Sequence, residues 1–568
     1  MAYPTMGGQN IGKGVLIKMV KVSGKKTGGC LGCLGWSIAL GALAWGGHSL
    51  YSQWGGRGAG LTVSEAAQWL PAQATVAGFV RTEPQAWSRL AQFQSPETEQ
   101  LLAQLQANLV QNQQIDFQQD VSPWLHNALV ALMLPPEDAT ASEPALVAVV
   151  GVKDQNKAKD FLAKILKNNS LQVKSRQYQG FEAQDIIPSG GKTWSYALVG
   201  QKLLLASQPA WLNAALDTQK GKPSLHQVPA KSQLLEKTLN LPDPVMQFYW
   251  LDASGTLAAL PQDSSSQLAK QLQENLTGLG SYWGGVAITD QGLHFQYLGE
   301  MEDEPQNLSN LTANPNRLLA QLPADTVLVI NGQGLAQSWS AWVKQAPPTS
   351  EWQSFLEQSR QIVRSNLNMD LDQELIGWMD GELALALVPT KSGFLGEWGV
   401  SGLVLLTTQN QNQAQSSVEH LDTQMRSVVP PFIQAQALEV KGVRLTEWRT
   451  LPTSQAVFAY GWLENSVFSL SLGDSLTPLV EVTPATSLAQ NPQFLALTRA
   501  LPKANLGYFY LNPSPALPAV AKIAALQGYA LPPMSQQTLE SIVAIAGTVS
   551  RPQANTSQLD LLVGLKKK

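Results

Sequence analysis

A chain of 568 residues exceeds what one hydrophobic core supports and fits two domains with an appendage. Charged residues make up only 14% of it, against roughly 25% in ordinary globular proteins, and the net charge of −4 joins a lysine-only N-terminus to a more acidic body. That body has no basic cluster, which excludes nucleic acid as a partner, and no cysteine, which excludes disulfides and thiol nucleophiles.

Lys13, Lys18, Lys21, Lys25 and Lys26 form a basic leader over residues 1–29. Residues 30–50, from Cys30 to Leu50, carry no charged side chain. About 20 residues at about 1.5 Å each cross a hydrocarbon core, so this stretch is expected to be a transmembrane anchor whose partner is the lipid bilayer. Lysines before it place the N-terminus in the cytoplasm and export the rest, to periplasm or lumen, from a plasma or thylakoid membrane. A cleaved signal peptide ending near Ala42-Leu-Ala44 is the competing reading; it exports the body equally. Cys30-Leu-Gly-Cys33 has the spacing of a metal or redox pair. One pair cannot complete a tetrahedral zinc site, so it is read as packing.

The body opens with Ser64-Glu-Ala-Ala-Gln-Trp69, a predicted helix capped by Ser64 and stopped before Leu70-Pro71, and then a strand over Thr75–Val80. Leu-Pro followed by an apolar run recurs at Leu241-Pro242 (Val245–Leu251), Leu322-Pro323 (Thr326–Ile330) and Leu501-Pro502 (Leu506–Leu511). Ser95-Pro96-Glu97 starts a helix with Leu101, Leu105 and Leu109 on one face. The segment from Asp116 through Trp124 to Pro135 then reappears from Asp370 through Trp378 to Pro389, always 254 residues later. A period this long marks a duplicated domain, with a first repeat at 60–299, an acidic linker at 300–312 and a second repeat at 313–565. Each Trp leads into a strand (Ala128–Leu134, Leu383–Val388), a Pro- or Gly-rich excursion and another strand. Gln155-Asn156-Lys-Ala158 and Gln411-Asn412-Gln-Ala414, offset by 256, each lead a helix. In the second repeat, Ser350-Glu351 opens a helix presenting Phe355, Leu356, Ile362 and Val363. The aromatic runs Phe248–Leu251 and Tyr508–Leu511 read as buried strands. The predicted fold class is α+β: two homologous tandem domains with largely antiparallel sheets and packed helices, behind one N-terminal transmembrane helix.

The recurrence controls the motifs. Gly473-Asp474-Ser475-Leu476 resembles an esterase nucleophile block, yet all five histidines precede Ser475, and its counterpart near Ser207 is a strand-to-helix corner with Ser207 or Asp474 as cap. Gly190-Gly191-Lys192-Thr193 resembles the end of a phosphate loop but leads into the strand-like Trp194–Val199. Asp370, Asp372 and Glu374 alternate as calcium ligands do; the first copy has Gln118 in the middle, so helix-start acids are the better reading. His126 faces Asp380 at the matching position, and Trp124 and Trp378 read as core anchors. No catalytic, cofactor-binding or metal-binding residue is assigned, no cofactor is expected, and the chain is expected not to be an enzyme.

Leader, anchor and duplicated Leu-Pro-Ala-x-Thr openings (Leu322–Thr326, degenerate at Leu70–Thr75) resemble a cyanobacterial membrane-anchored family catalogued only as a domain of unknown function, over roughly residues 60–565. The resemblance implies a membrane of a photosynthetic bacterium and a body in its lumen or periplasm. The expected function is binding of other membrane proteins, in assembly or maintenance of a photosynthetic complex such as photosystem II. A carrier or sensor of an apolar ligand, lipid or pigment, is the alternative, and an exported hydrolase the third.

Overall fold

A computed structural model describes residues 60–567, apart from 94–116, 135–143, 168–170, 189–190, 253–278, 302–312, 346–350, 464–465 and 527–538. The anchor expected at 30–50 and the helix expected after Ser95 therefore lie outside the described residues. Among the described residues no helix is long and apolar enough to cross a membrane.

The first half contributes β1 (Ala74–Val80), β2 (Leu125–Met133), β3 (Ala145–Val152), β4 (Leu171–Tyr178), β5 (Phe181–Pro188), β6 (Trp194–Val199), β7 (Lys202–Ala206), β8 (Met246–Trp250), β9 (Leu279–Ile288) and β10 (Gly292–Met301). The second contributes β11 (Leu328–Gln333), β12 (Glu382–Pro389), β13 (Val400–Thr407), β14 (Ile433–Val440), β15 (Val443–Thr450), β16 (Ala456–Leu463), β17 (Val467–Leu472), β18 (Tyr508–Leu511), β19 (Ile542–Gln553) and β20 (Thr556–Leu565). Six helices matter below: α1 (Val63–Ala67), α2 (Gln155–Leu166), α3 (Pro209–Asp217), α4 (Leu335–Gln345), α5 (Glu351–Leu367) and α6 (Gln411–Val428).

Every pairing is antiparallel, so the α+β expectation holds. The first half runs β4-β5-β6-β7-β3-β2-β1-β8-β9-β10. The second runs β14-β15-β16-β17-β13-β12-β11-β18-β19-β20, the same order strand for strand. β10 then pairs with β20 from Gly292↔Gly564 to Glu300↔Thr556, making one sheet of twenty strands. The stretch expected as a linker from residue 300 thus begins inside a strand: Glu300 lies in β10 and pairs with Lys237.

Local chemistry explains the elements. Thr62, not Ser64, caps α1: its hydroxyl accepts from Glu65 N at 3.2 Å while the Glu65 carboxylate accepts from Thr62 N at 3.0 Å. The Leu-Pro corners are tied alike in both halves, by Leu225 N to Leu70 O at 2.7 Å and Leu488 N to Leu322 O at 2.8 Å. β3 reads ALVAVVGV because layers cover both its faces. Val147 and Val149 join Leu212 and Leu216 of α3 on one side; Ala148 and Val150 join Phe161 of α2 on the other. Two expectations fail here. α3 has no side-chain cap, and Ser207 instead accepts from Leu146 N at 2.9 Å, bracing β3. Among the described side chains of α5 only Leu356 is buried, whereas Phe355 and Ile362 are more than half exposed.

The seam between the halves has two unlike faces. On one, Phe248, Tyr297 and Tyr282 stack at 5.8 and 5.3 Å between ring centres. The rings lie flat because Gly284 and Gly299 sit beneath them; a Cβ at Gly284 would fall 2.3 Å from the Phe248 ring. On the other face Asp560, 1% exposed, accepts from Gln296 Nε2 at 3.0 Å and Gln558 Nε2 at 2.6 Å, and lies 2.9 Å from His294 Nε2.

Burial pushes the hydroxyls of Tyr297, Tyr460 and Tyr510 up to about 12. In the unfolded chain tyrosine ionises near 10. Their contribution to stability is therefore full below pH ~10 and is lost as pH rises towards 12. Melting temperature should fall over that window, with tyrosinate absorbance appearing together with unfolding. Absorbance rising near pH ~10 with the fold intact would contradict the burial.

Candidate functional site

The matched halves place a helix over the same patch of sheet twice. In the first half Asp154 caps α2, accepting from Asn156 N at 2.9 Å and Lys157 N at 3.1 Å. α2 lies across β3, β7 and β6. The Phe161 ring packs on Trp124 with centres 5.2 Å apart, and only about 40 Å3 remains empty between helix and sheet. In the second half α6 lies across β13, β17 and β16 and leaves about 310 Å3, lined by Trp378, Val404, Leu406, Val418, Phe468 and Leu470.

The cause is one position on the helix. Counting from Ala158 and Ala414, both fully buried, Phe161 corresponds to Ser417 and Leu162 to Val418. A benzyl group that fills the first site is absent from the second, and the smaller neighbour does not compensate. The sheet side is conservative: pairing puts Tyr460 where Tyr196 stands and Phe468 where Leu203 stands.

The anchoring tryptophans also differ. Trp124 Nε1 donates to Asp120 O at 2.8 Å. Trp378, 2% exposed and edge-on to Phe468 at 5.8 Å, has a buried indole N–H with no acceptor. At the rim, Asp422 accepts from Tyr460 OH and from Arg426 Nε at 2.8 Å. The Tyr460 hydroxyl is held above its ordinary range by burial first and by the Asp422 carboxylate beside it. Sheet register carries the apolar surface beyond the pocket: Leu385 pairs with Val404 and with Ile330, and Leu472 with Phe458. Ile330, Leu385, Leu387 and Leu472 are between 36% and 50% exposed.

The motifs raised by the sequence are occupied structurally. Ser475 Oγ donates to Glu447 Oε2 at 2.9 Å and meets Thr477 Oγ1 at 3.0 Å. His126 contacts Asn127 N, His226 Ser64 and Ser232, His294 Asp560, and His420 Glu374. Asp474 does not cap the short helix after it; it accepts from Ser475 N, Thr390 and Ser392. Gly191–Thr193 turn from β5 into β6. Asp370 accepts from Asp372 N and Gln373 N, Glu374 from Asp370 N, and Asp372 from Trp339 and Arg360. These acids order the start of a π-helix at Leu371–Ile376. Among the described residues no group of three or more His, Cys, Asp or Glu side chains is placed to hold a metal ion. The sequence reading missed the pocket, although the offset of 256 puts Phe161 against Ser417.

A family model described as "Protein of unknown function (DUF3352)" matches residues 34–565. No curated protein matches the chain. A solved structure described as crystal form III of TP0453 aligns over 42% of this chain and 81% of its own, at 7% identity and a TM-score of 0.25.

Proposed function

The chain belongs to the DUF3352 family of proteins of unknown function, and from that premise we propose a non-enzymatic, membrane-tethered protein with an exported body that arose by duplication and whose second half takes up an apolar ligand. One observation carries this reading: at matched places in identically ordered sheets, one helix-on-sheet site is filled and the other holds about 310 Å3 walled by apolar side chains. Ligand pockets start near that size, about 300 Å3, and are mostly apolar. Duplication supports it physically. The first copy keeps a packed core for stability, which frees the second to leave its core incomplete.

The test is isolation of the full chain from its native membrane in an amphipathic polymer, followed by mass spectrometry of extracted small molecules. The unaltered protein is expected to carry an apolar molecule near one equivalent, and Ser417→Phe to have lost it. Equal yields from both would remove the reading.

A second reading, binding of membrane proteins in assembly or maintenance of a photosynthetic complex such as photosystem II, is favoured by the exposed strip of Ile330, Leu385, Leu387 and Leu472, since contiguous exposed apolar surface marks interaction sites. Paired Leu385→Glu and Leu472→Glu changes should reduce the membrane proteins co-isolated in mild detergent.

A further inference from the structure

We infer that the seam between the halves carries a separate binding site, a polar recess that takes an uncharged, hydroxyl-rich ligand, a sugar unit. The inference is independent of the apolar pocket under α6. The recess measures about 370 Å3, within the roughly 300–1,000 Å3 of small-molecule sites. Both halves build it: Thr238, Trp283 and Leu298 come from the first, Thr556 and Gln558 from the second. Sheet register sets Trp283, Leu298 and Gln558 in one row across β9, β10 and β20.

Two glutamines on this face show what is missing. Both donate Nε2 to Asp560, Gln296 at 3.0 Å and Gln558 at 2.6 Å. Gln296 spends its carbonyl on Asn240 N at 2.6 Å. Gln558 Oε1 meets no donor among the described residues, and it is not shut off from solvent. The residue is only 7% exposed, so packing holds the amide in place while its acceptor stays open. The carboxylate on Nε2 polarises the amide and strengthens Oε1 as an acceptor. An O–H or N–H donor completes it.

The surroundings select an uncharged partner. Lys237 and Glu300, the charged side chains of the wall, are paired with each other, and the Lys237 ammonium lies 5.2 Å over the Trp283 ring. Asp560 behind Gln558 repels an anion. The surface left open is mostly polar, with amides and hydroxyls that both donate and accept. A ligand hydroxyl reproduces the hydrogen bonds of the water it displaces. The ring C–H face of a sugar also covers apolar surface, which Leu239 and Leu298 supply here. A polar edge, an apolar face and no net charge together describe a sugar.

The experiment uses the full chain in a sugar-free amphipathic polymer and saturation-transfer NMR, with the signal from empty polymer subtracted. The probes are maltose, cellobiose, lactose and N,N′-diacetylchitobiose, with glucose 6-phosphate as the anionic control. At least one neutral disaccharide should bind with a Kd on the order of 1 mM. Thr238→Trp fills the recess from an exposed position, so it should weaken that binding at least about tenfold and leave the melting temperature unchanged. Gln558→Met removes the acceptor and should weaken binding about tenfold; if it fails to fold, Thr238→Trp decides alone. Ser417→Phe, which alters only the apolar pocket, should leave sugar binding as it was. No response from any of the four, or a response that survives Thr238→Trp undiminished, overturns the site. Stronger binding of glucose 6-phosphate than of every neutral probe overturns the ligand class.

Discussion

Asp560→Ala is expected to cost about 3 kcal/mol or more of stability, because it strips the acceptor from several buried donors at about 1–3 kcal/mol each. The carboxylate is 1% exposed and gathers His294, Gln296 and Gln558 from two strands that belong to different halves. Removing it leaves those donors in a seam that the β10–β20 ladder seals. Asp560→Asn keeps an acceptor oxygen and should cost clearly less. Chemical denaturation is the measurement. Since one sheet runs through both halves, the unaltered chain should unfold in a single transition, and Asp560→Ala should split it or lower its midpoint. A loss below about 1 kcal/mol would mean that the seam is held by the ladder and the stacked aromatics alone.

Trp124→Ala should be comparably damaging, at about 3–5 kcal/mol for a large aromatic removed from a packed core. The informative comparison is with phenylalanine. Trp124→Phe forfeits the bond to Asp120 O, worth about 0.5–1.5 kcal/mol net, and leaves a gap against Phe161 in a site with little spare volume. Trp378→Phe forfeits no protein hydrogen bond, and its site is already open. Thermal melts should therefore separate the two changes, with Trp378→Phe near neutral in the ligand-free chain. Equal losses would argue that Trp378 Nε1 has an acceptor after all.

Much of the fold was legible because its signals are local. Leu-Pro corners, the apolar run Leu383–Val388 after Trp378 and the helix starts at Gln155 and Gln411 each depend on a few adjacent residues. The aromatic runs were placed correctly as strands but read as too deeply buried: β8 has one buried residue, Tyr249, since depth depends on what lies above the sheet. Caps were misjudged by small steps. Thr62 rather than Ser64 caps α1, because the choice rests on which hydroxyl meets Glu65 N, a matter of backbone angle. The apolar stripe assigned to α5 failed for a related reason. Helical periodicity marks a face, and whether a partner covers it is decided elsewhere in the chain.

By itself, the sequence determined a recurrent order of strands and helices and an α+β class. Only the tertiary structure decided that β10 and β20 join the halves into one sheet, and that the space beneath α6 stays open while the space beneath α2 is filled. The physical reason is range. Propensity, capping and alternation act over a few residues, whereas a strand's partner and an unfilled volume are sums over side chains hundreds of positions apart, where a single exchange, Ser417 in place of Phe161, leaves the local pattern intact and empties the site.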